Sequence, residues 1–212
     1  MANKIIAIAD INSFCNQNIE TLLFACILEK KVNKLSVLDL NHYEQDKLLP
    51  EREEWKKEGE ILTTQIFSNT SYQISTKTAL EQNKILNLAK ALSDISDILL
   101  INSNANTFDY NTQFYNCADE IVLFADLEQD INRNLINFFM RHALKNKKIY
   151  LFVHNYKLNI QSEKTYLYLL KQFKAPNIII NNIDAIPQFK TLEEIENVDP
   201  WLDIYKKINS AF

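Results

Sequence analysis

Glycine is almost missing from this sequence: among 212 residues there is one, Gly59. Ordinary usage of roughly 7% would give about fifteen. A phosphate loop of the form G-x-x-x-x-G-K-[ST] needs two glycines, and a dinucleotide turn of the form G-x-G-x-x-G needs three. In both, the backbone must turn tightly and approach phosphate closely. Neither pattern can be written with a single glycine, so both are excluded by counting.

Other shortages narrow the class further. Cysteines number three (Cys15, Cys26 and Cys117), with no C-x-x-C spacing; that suits a reducing compartment better than a disulfide scaffold. No group of His, Cys and carboxylate has metal-ligand spacing, so no metal and no cofactor is expected. The longest apolar runs, such as 98–101 and 178–180, fall far short of the ~20 residues that cross a bilayer. The opening MANKIIAIAD runs straight into a strand-like segment and lacks the pattern of a secretion signal. A formal net charge of -4 gives no electrostatic reason to expect nucleic acid. The expected location is the cytoplasm, or the periphery of a membrane-bound machine reached through a partner.

What is present is a regular alternation of short apolar runs and helical periodicity. Lys4–Ala9 and Leu35–Asp39 read as buried strands, with a helix between them whose apolar positions are Ile19, Leu22, Leu23, Cys26 and Leu28. Further strands are expected at 71–75, 97–101, 120–125, 148–154 and 177–181. Helices are expected at 77–91, 127–145 and 163–173, and a last one from Pro200, with Trp201, Tyr205, Ile208 and Phe212 at amphipathic spacing. Strands apolar on both faces belong to parallel sheets covered by helices on both sides. The expectation is a single α/β domain over 1–212 with a doubly wound, mostly parallel sheet. The charged, weakly periodic stretch 41–70 is expected to be irregular or mobile.

Laid without gaps on the MinD/ParA family of deviant Walker ATPases, the chain resembles the framework and departs from the chemistry. The first strand, a helix starting near Asn18 and a second strand ending in Asp39-Leu40-Asn41 match the family's order. The segment 94–102 is similar to its Walker B strand, 118–123 to its A-D-E/x-V strand, and Val153-His154-Asn155 to the strand whose terminal Asn reads adenine. The resemblance implies a nucleotide site at Asn12, Ser13, Phe14, Asn16, Gln17, Asn18, Asp39, Asn41, Asn102 and Asn155, in degenerate form. The family's signature lysine falls on Asn12, its glycines on Ser13, Phe14 and Asn16, its phosphate-binding lysine on Gln17 and its magnesium-binding Thr on Asn18. Asn102 stands for the Walker B carboxylate and Asn41 for the second acid of Asp-x-Asp. Side chains in the loop obstruct backbone approach to phosphate, and the contacts that hold magnesium and triphosphate are charge-assisted ones. Losing the set points to a pseudo-enzyme with no catalytic residues and a MinD/ParA-like fold lacking its phosphate loop.

The resemblance implies a protein-binding scaffold or localisation factor for a cellular machine (pilus, flagellum, division, partition, or conjugation and secretion), near the TadZ/CpaE branch. Its partners would be proteins, including an active paralogue or a second copy. Two alternatives stay open: a nucleotide-binding protein or weak ATPase with a remodelled pocket built on Asp39 and Asn155, and a DNA-partition accessory. Plainer readings exist for single residues. Asp39 and the cluster Asn102, Asn104 and Asn106 serve as turn and strand-end groups. A Cys15–His154 pair lacks any local signature, and the Lys145, Lys147 and Lys148 cluster complements a helix end. The last helix packs on the sheet rather than on a bilayer.

Overall fold

The computed structural model describes residues 3–10, 17–40, 48–50, 55–75, 82–104, 115–127, 147–154, 160–172, 177–183 and 186–212. Within them, β1 (Lys4–Asp10) leads to α1 (Gln17–Glu29) and β2 (Leu35–Asp39). A hairpin β3 (Lys56–Glu58) and β4 (Ile61–Phe67) precedes β5 (Thr70–Ser75), α2 (Gln82–Ile95) and β6 (Ile98–Asn104). Then come β7 (Glu120–Asp126), β8 (Lys148–His154), α3 (Ile160–Gln172), β9 (Ile178–Asn182), α4 (Leu192–Glu196) and α5 (Asp203–Ala211).

The described strands form one sheet in the order β3-β4-β5-β2-β6-β1-β7-β8-β9. All neighbours from β5 to β9 are parallel, and only the β3–β4 and β4–β5 pairings are antiparallel. β1 lies centrally, between β6 and β7. The chain steps past one neighbour to reach β2 and later comes down on the other side, so the strand order reverses at β1. In open α/β sheets the crevice outside the carboxyl ends at such a reversal is where ligands bind.

Alternation along β1 divides the core. Ile6 and Ile8 join the apolar cluster under α1, α4 and α5, while Ala7 and Ala9 join the one under α3 that contains Tyr115, Leu123 and Leu151. A third cluster sets Ile85, Ala89 and Leu92 of α2 against Leu38, Leu99 and Ile101. Helices therefore cover both faces, as expected for a doubly wound sheet. α1 goes beyond its expected single apolar face: every residue from Ile19 to Glu29 is buried. α4 and α5 lie across its outer side, and Cys26 there donates to the Ile195 carbonyl at 3.4 Å. Burial pushes the Cys26 thiol up to about 11.

Two expectations need correcting. The stretch 41–70 is not irregular throughout. Its second half is the β3–β4 hairpin, and Trp55 is buried edge-on against Tyr72 with its indole N–H on the Pro50 carbonyl at 3.0 Å. Charge misled the reading, because β3 is a fully exposed sheet edge whose Lys56-Lys57-Glu58 keeps other strands from adding to it. The last helix starts at Asp203 rather than at Pro200, since Asp199 holds 199–202 in a turn, accepting from the Trp201 N–H at 2.9 Å. The short helix α4 has no counterpart among the sequence expectations. The expected helix at 127–145 lies, apart from Leu127, outside the described residues.

Gly59 sits in the β3–β4 turn with φ +61 and nothing within 4 Å of a built Cβ. Its role is conformational and remote from the β1–α1 turn. Gly59→Ala should lower stability by about 1 kcal/mol, and Gly59→Asn by less, because Asn tolerates the left-handed region; urea unfolding midpoints check this.

Candidate functional site

The sequence places one carboxylate at the end of β2, and the sheet register decides what it meets. Asp39 pairs across the strands with Asn102 of β6, which in turn pairs with Ile8 of β1. Side chains alternate along a strand. Asp39 follows Val37, Asn102 follows Leu100, and Tyr72 is paired with Val37, all of them on the α1 face. The three polar groups converge there. Asp39 is 2% exposed and accepts a hydrogen bond from the Tyr72 hydroxyl at one carboxylate oxygen. The other oxygen accepts from the Asn102 amide at 3.2 Å.

Among the described residues, Tyr72 and Asn102 each donate to this buried carboxylate. Hydrogen bonds to a charged group are worth about 1.5–3 kcal/mol, and leaving the group bare costs as much again. An acid at position 102 would set two carboxylates together in the interior, an arrangement that needs a proton or a metal ion between them. An amide removes that need by donating.

The next residue along β6 turns to the opposite face. There the Ser103 hydroxyl is 2.8 Å from that of Tyr115, and both are buried. Burial raises the Tyr115 hydroxyl well above its ordinary value, with the Ser103 bond a smaller opposing influence. On the far side of β1, Asp126 and His154 end β7 and β8 in register, 3.9 Å apart and both buried.

Of the residues singled out from the sequence, the structure brings together Asp39 and Asn102. Gln17 and Asn18 are the first residues of α1, behind β1. Asn12, Ser13, Phe14, Asn16, Asn41 and Asn155 lie outside the described residues, as do Cys15, Asn106 and Lys145. Lys147 is not a free cation: its ammonium donates to the carbonyls of Asn116 and Ala118 at 2.8 and 2.7 Å. Sequence reasoning missed Tyr72, Ser103, Tyr115 and Asp126. Tyr72 is polar in an otherwise buried strand, but its pairing with Asp39 depends on β5 lying beside β2, which local patterns do not reveal.

No protein-family profile matches the sequence, and no curated protein matches it. Solved structures do match in fold. The chain is similar to a ParA family ATPase from Chlorobium tepidum TLS, with a TM-score of 0.70 at 11% identity over 99% of this chain and 98% of that one. It is similar to a protein described as a plasmid partition protein from Borrelia burgdorferi B31, bound to AMPPNP (TM-score 0.63, 16% identity, 98% and 95% covered). A third likeness is to a chain of the MinC:MinD cell division protein complex from Aquifex aeolicus (TM-score 0.61, 13% identity, 93% and 86% covered). The chain has the fold of the ParA and MinD ATPases.

Nucleotide and magnesium are what the sequence resemblance implies, so the donor set matters. Among the described side chains, the carboxyl ends of β2, β6, β7 and β8 carry Asp39, Asn102, Asp126 and His154. Glu20 adds a buried acid in the first turn of α1. Polyphosphate binding draws on cations and bare backbone N–H groups.

Asn102→Asp is expected to cost about 2 kcal/mol at pH 7 through repulsion between buried carboxylates. The loss should shrink as acid protonates the pair. Urea unfolding at neutral and acid pH checks both the size and the sign.

Proposed function

We propose that the chain is a catalytically inactive protein of the MinD/ParA kind that works by binding other proteins, as a scaffold or localisation factor for a cellular machine. One observation carries the reading: Asp39, the acid kept at the nucleotide site, is held by Tyr72 and Asn102 of its own chain. Supporting it is the single glycine, used in a distant hairpin turn. Asn12, Ser13, Phe14, Asn16, Gln17 and Asn18 stand where the family has its glycines, lysines and Thr. No attacking water is oriented and no phosphoryl charge is balanced in this reading.

What remains useful is the framework. A rigid doubly wound sheet presents its helices and loops in fixed positions, and relatives of this fold are solved both alone and within a MinC:MinD complex. Without a nucleotide to switch a dimer, partner binding is constitutive. A homodimer or a complex with an active paralogue would then form irrespective of ATP.

Thermal unfolding with and without millimolar ATP and magnesium tests the inactive reading. A ligand present at a hundred times its Kd stabilises by about 2.7 kcal/mol, so a bound nucleotide would be conspicuous. The expected outcome is an unchanged midpoint and no ATP hydrolysis. A rise that disappears in Asp39→Ala would establish a remodelled nucleotide pocket instead. Salt-sensitive binding to duplex DNA would favour a partition accessory.

A further inference from the structure

The two ends of the sheet differ in character. β3 forms one with Lys56-Lys57-Glu58, charges that discourage an added strand. β9 forms the other with Ile178-Ile179-Ile180-Asn181-Asn182, which has no charge, proline or glycine. Its described neighbour is β8, in parallel register. The Asn177 carbonyl accepts from the Ile149 N–H, and the Ile183 N–H donates to the Val153 carbonyl, each at 2.8 Å. Backbone groups alternate in direction along a strand, so those of Ile178, Ile180 and Asn182 face away from β8. The Asn182 carbonyl accepts from the Lys207 ammonium of α5, and a carbonyl can accept twice.

Apolar exposure gathers beside this edge. Of the six large apolar side chains exposed among the described residues, Ile160, Leu167 and Tyr168 lie on α3 and Ile179 on β9. α3 buries small polar residues instead: Ser162 and Thr165 are covered along with Leu169, and Tyr166, Ile178 and Ile180 border the same cluster. Its opposite side carries Ile160, Lys164, Leu167 and Lys171, at the spacing of one helix face. The charges are ordered, with Glu163 in the first turn and Lys171 in the last. Such a helix is its own electrostatic complement when a second copy runs antiparallel to it. Glu163 then lies by the partner's Lys171, and Leu167, midway between them, meets the partner's Leu167. Lys164 faces the partner's Leu170 rather than another lysine.

We propose that β9 pairs antiparallel with β9 of a second copy across a two-fold axis at Ile180, continuing the sheet through both molecules and setting α3 beside the partner's α3. Ile180 exchanges N–H and carbonyl with the partner's Ile180, and Ile178 does so with the partner's Asn182. On the α3 face the two Ile180 side chains meet, and on the α1 face Ile179 packs by the partner's Asn181. One two-fold axis makes both β9 and α3 antiparallel to their mates, so the open edge and the charge order select the same partner. An extended peptide from another protein would satisfy the edge but not the order of Glu163 and Lys171. This surface deepens the partner-binding reading by naming the second copy, and rests on it, yet it lies apart from Asp39 and needs no nucleotide. Stabilisation by ATP would defeat the inactive reading alone, and failure below would remove the dimer alone.

The test is sedimentation equilibrium of the full chain from micromolar to millimolar concentration, without nucleotide and with ATP and magnesium. A reversible dimer of the 24.8 kDa chain is expected in both. Ile180→Pro removes an outward N–H and leaves the β8 ladder intact; it and Leu167→Glu should each weaken dimerisation about tenfold or more. Lys171→Glu should weaken it as well, and Glu163→Lys/Lys171→Glu should restore it, because the swap returns opposite charges across the axis. Ile95→Glu, at the exposed end of α2, should dimerise as the parent does. Circular dichroism checks folding, and the α3 variants, on an exposed face, decide the outcome if Ile180→Pro unfolds. A monomer throughout, a dimer formed with ATP alone, or a dimer indifferent to the α3 and β9 variants would overturn the proposal.

Discussion

A carboxylate in the interior of a protein must be neutralised, hydrogen-bonded or paired, and Asp39 stands under that constraint at the end of β2. The chain meets it with a tyrosine from β5 and an asparagine from β6, so three adjacent strands are tied together on the α1 face. Much of the carboxyl edge follows from this choice. The amide at position 102 works because it donates. Tyr72 reaches Asp39 because β5 lies beside β2, and Trp55, ahead of the hairpin, packs edge-on against its ring. The segment that looked like a charged loop is thereby coupled to the candidate site.

The functional proposal grows from the same economy of charge. In the ATPases whose fold this chain shares, a metal ion and a triphosphate bring positive and negative charge together at the strand ends. Here the described positions supply carboxylates, amides and hydroxyls that satisfy one another. Two hydroxyls, Ser103 and Tyr115, pair on the opposite face, and Asp126 sits beside His154.

Much of the fold was legible because burial on both faces leaves a plain trace. Ile5–Ala9 and Ile149–Val153 are continuous apolar runs, Leu35–Asp39 is broken only by Ser36 before its terminal acid, and each lies in a parallel strand. The β3–β4 hairpin was not legible, since an exposed edge strand is selected for charge rather than for alternation. The site was half legible. Asp39 and Asn102 could be found by aligning strand ends with a known framework. Tyr72 could not, because its partner lies 33 residues away and only the order of strands brings them together. Pro200 misplaced a helix start for a similar reason, as the Asp199 turn delays the helix to Asp203.

The most direct measurement is a crystal structure of the protein grown with a non-hydrolysable ATP analogue and magnesium in excess. The account predicts no nucleotide beyond the end of β1 and Asp39 still held by Tyr72 and Asn102. Analogue density between Asp10 and Asn18, with Asp39 turned from Tyr72 onto a magnesium ion or its water, would contradict it.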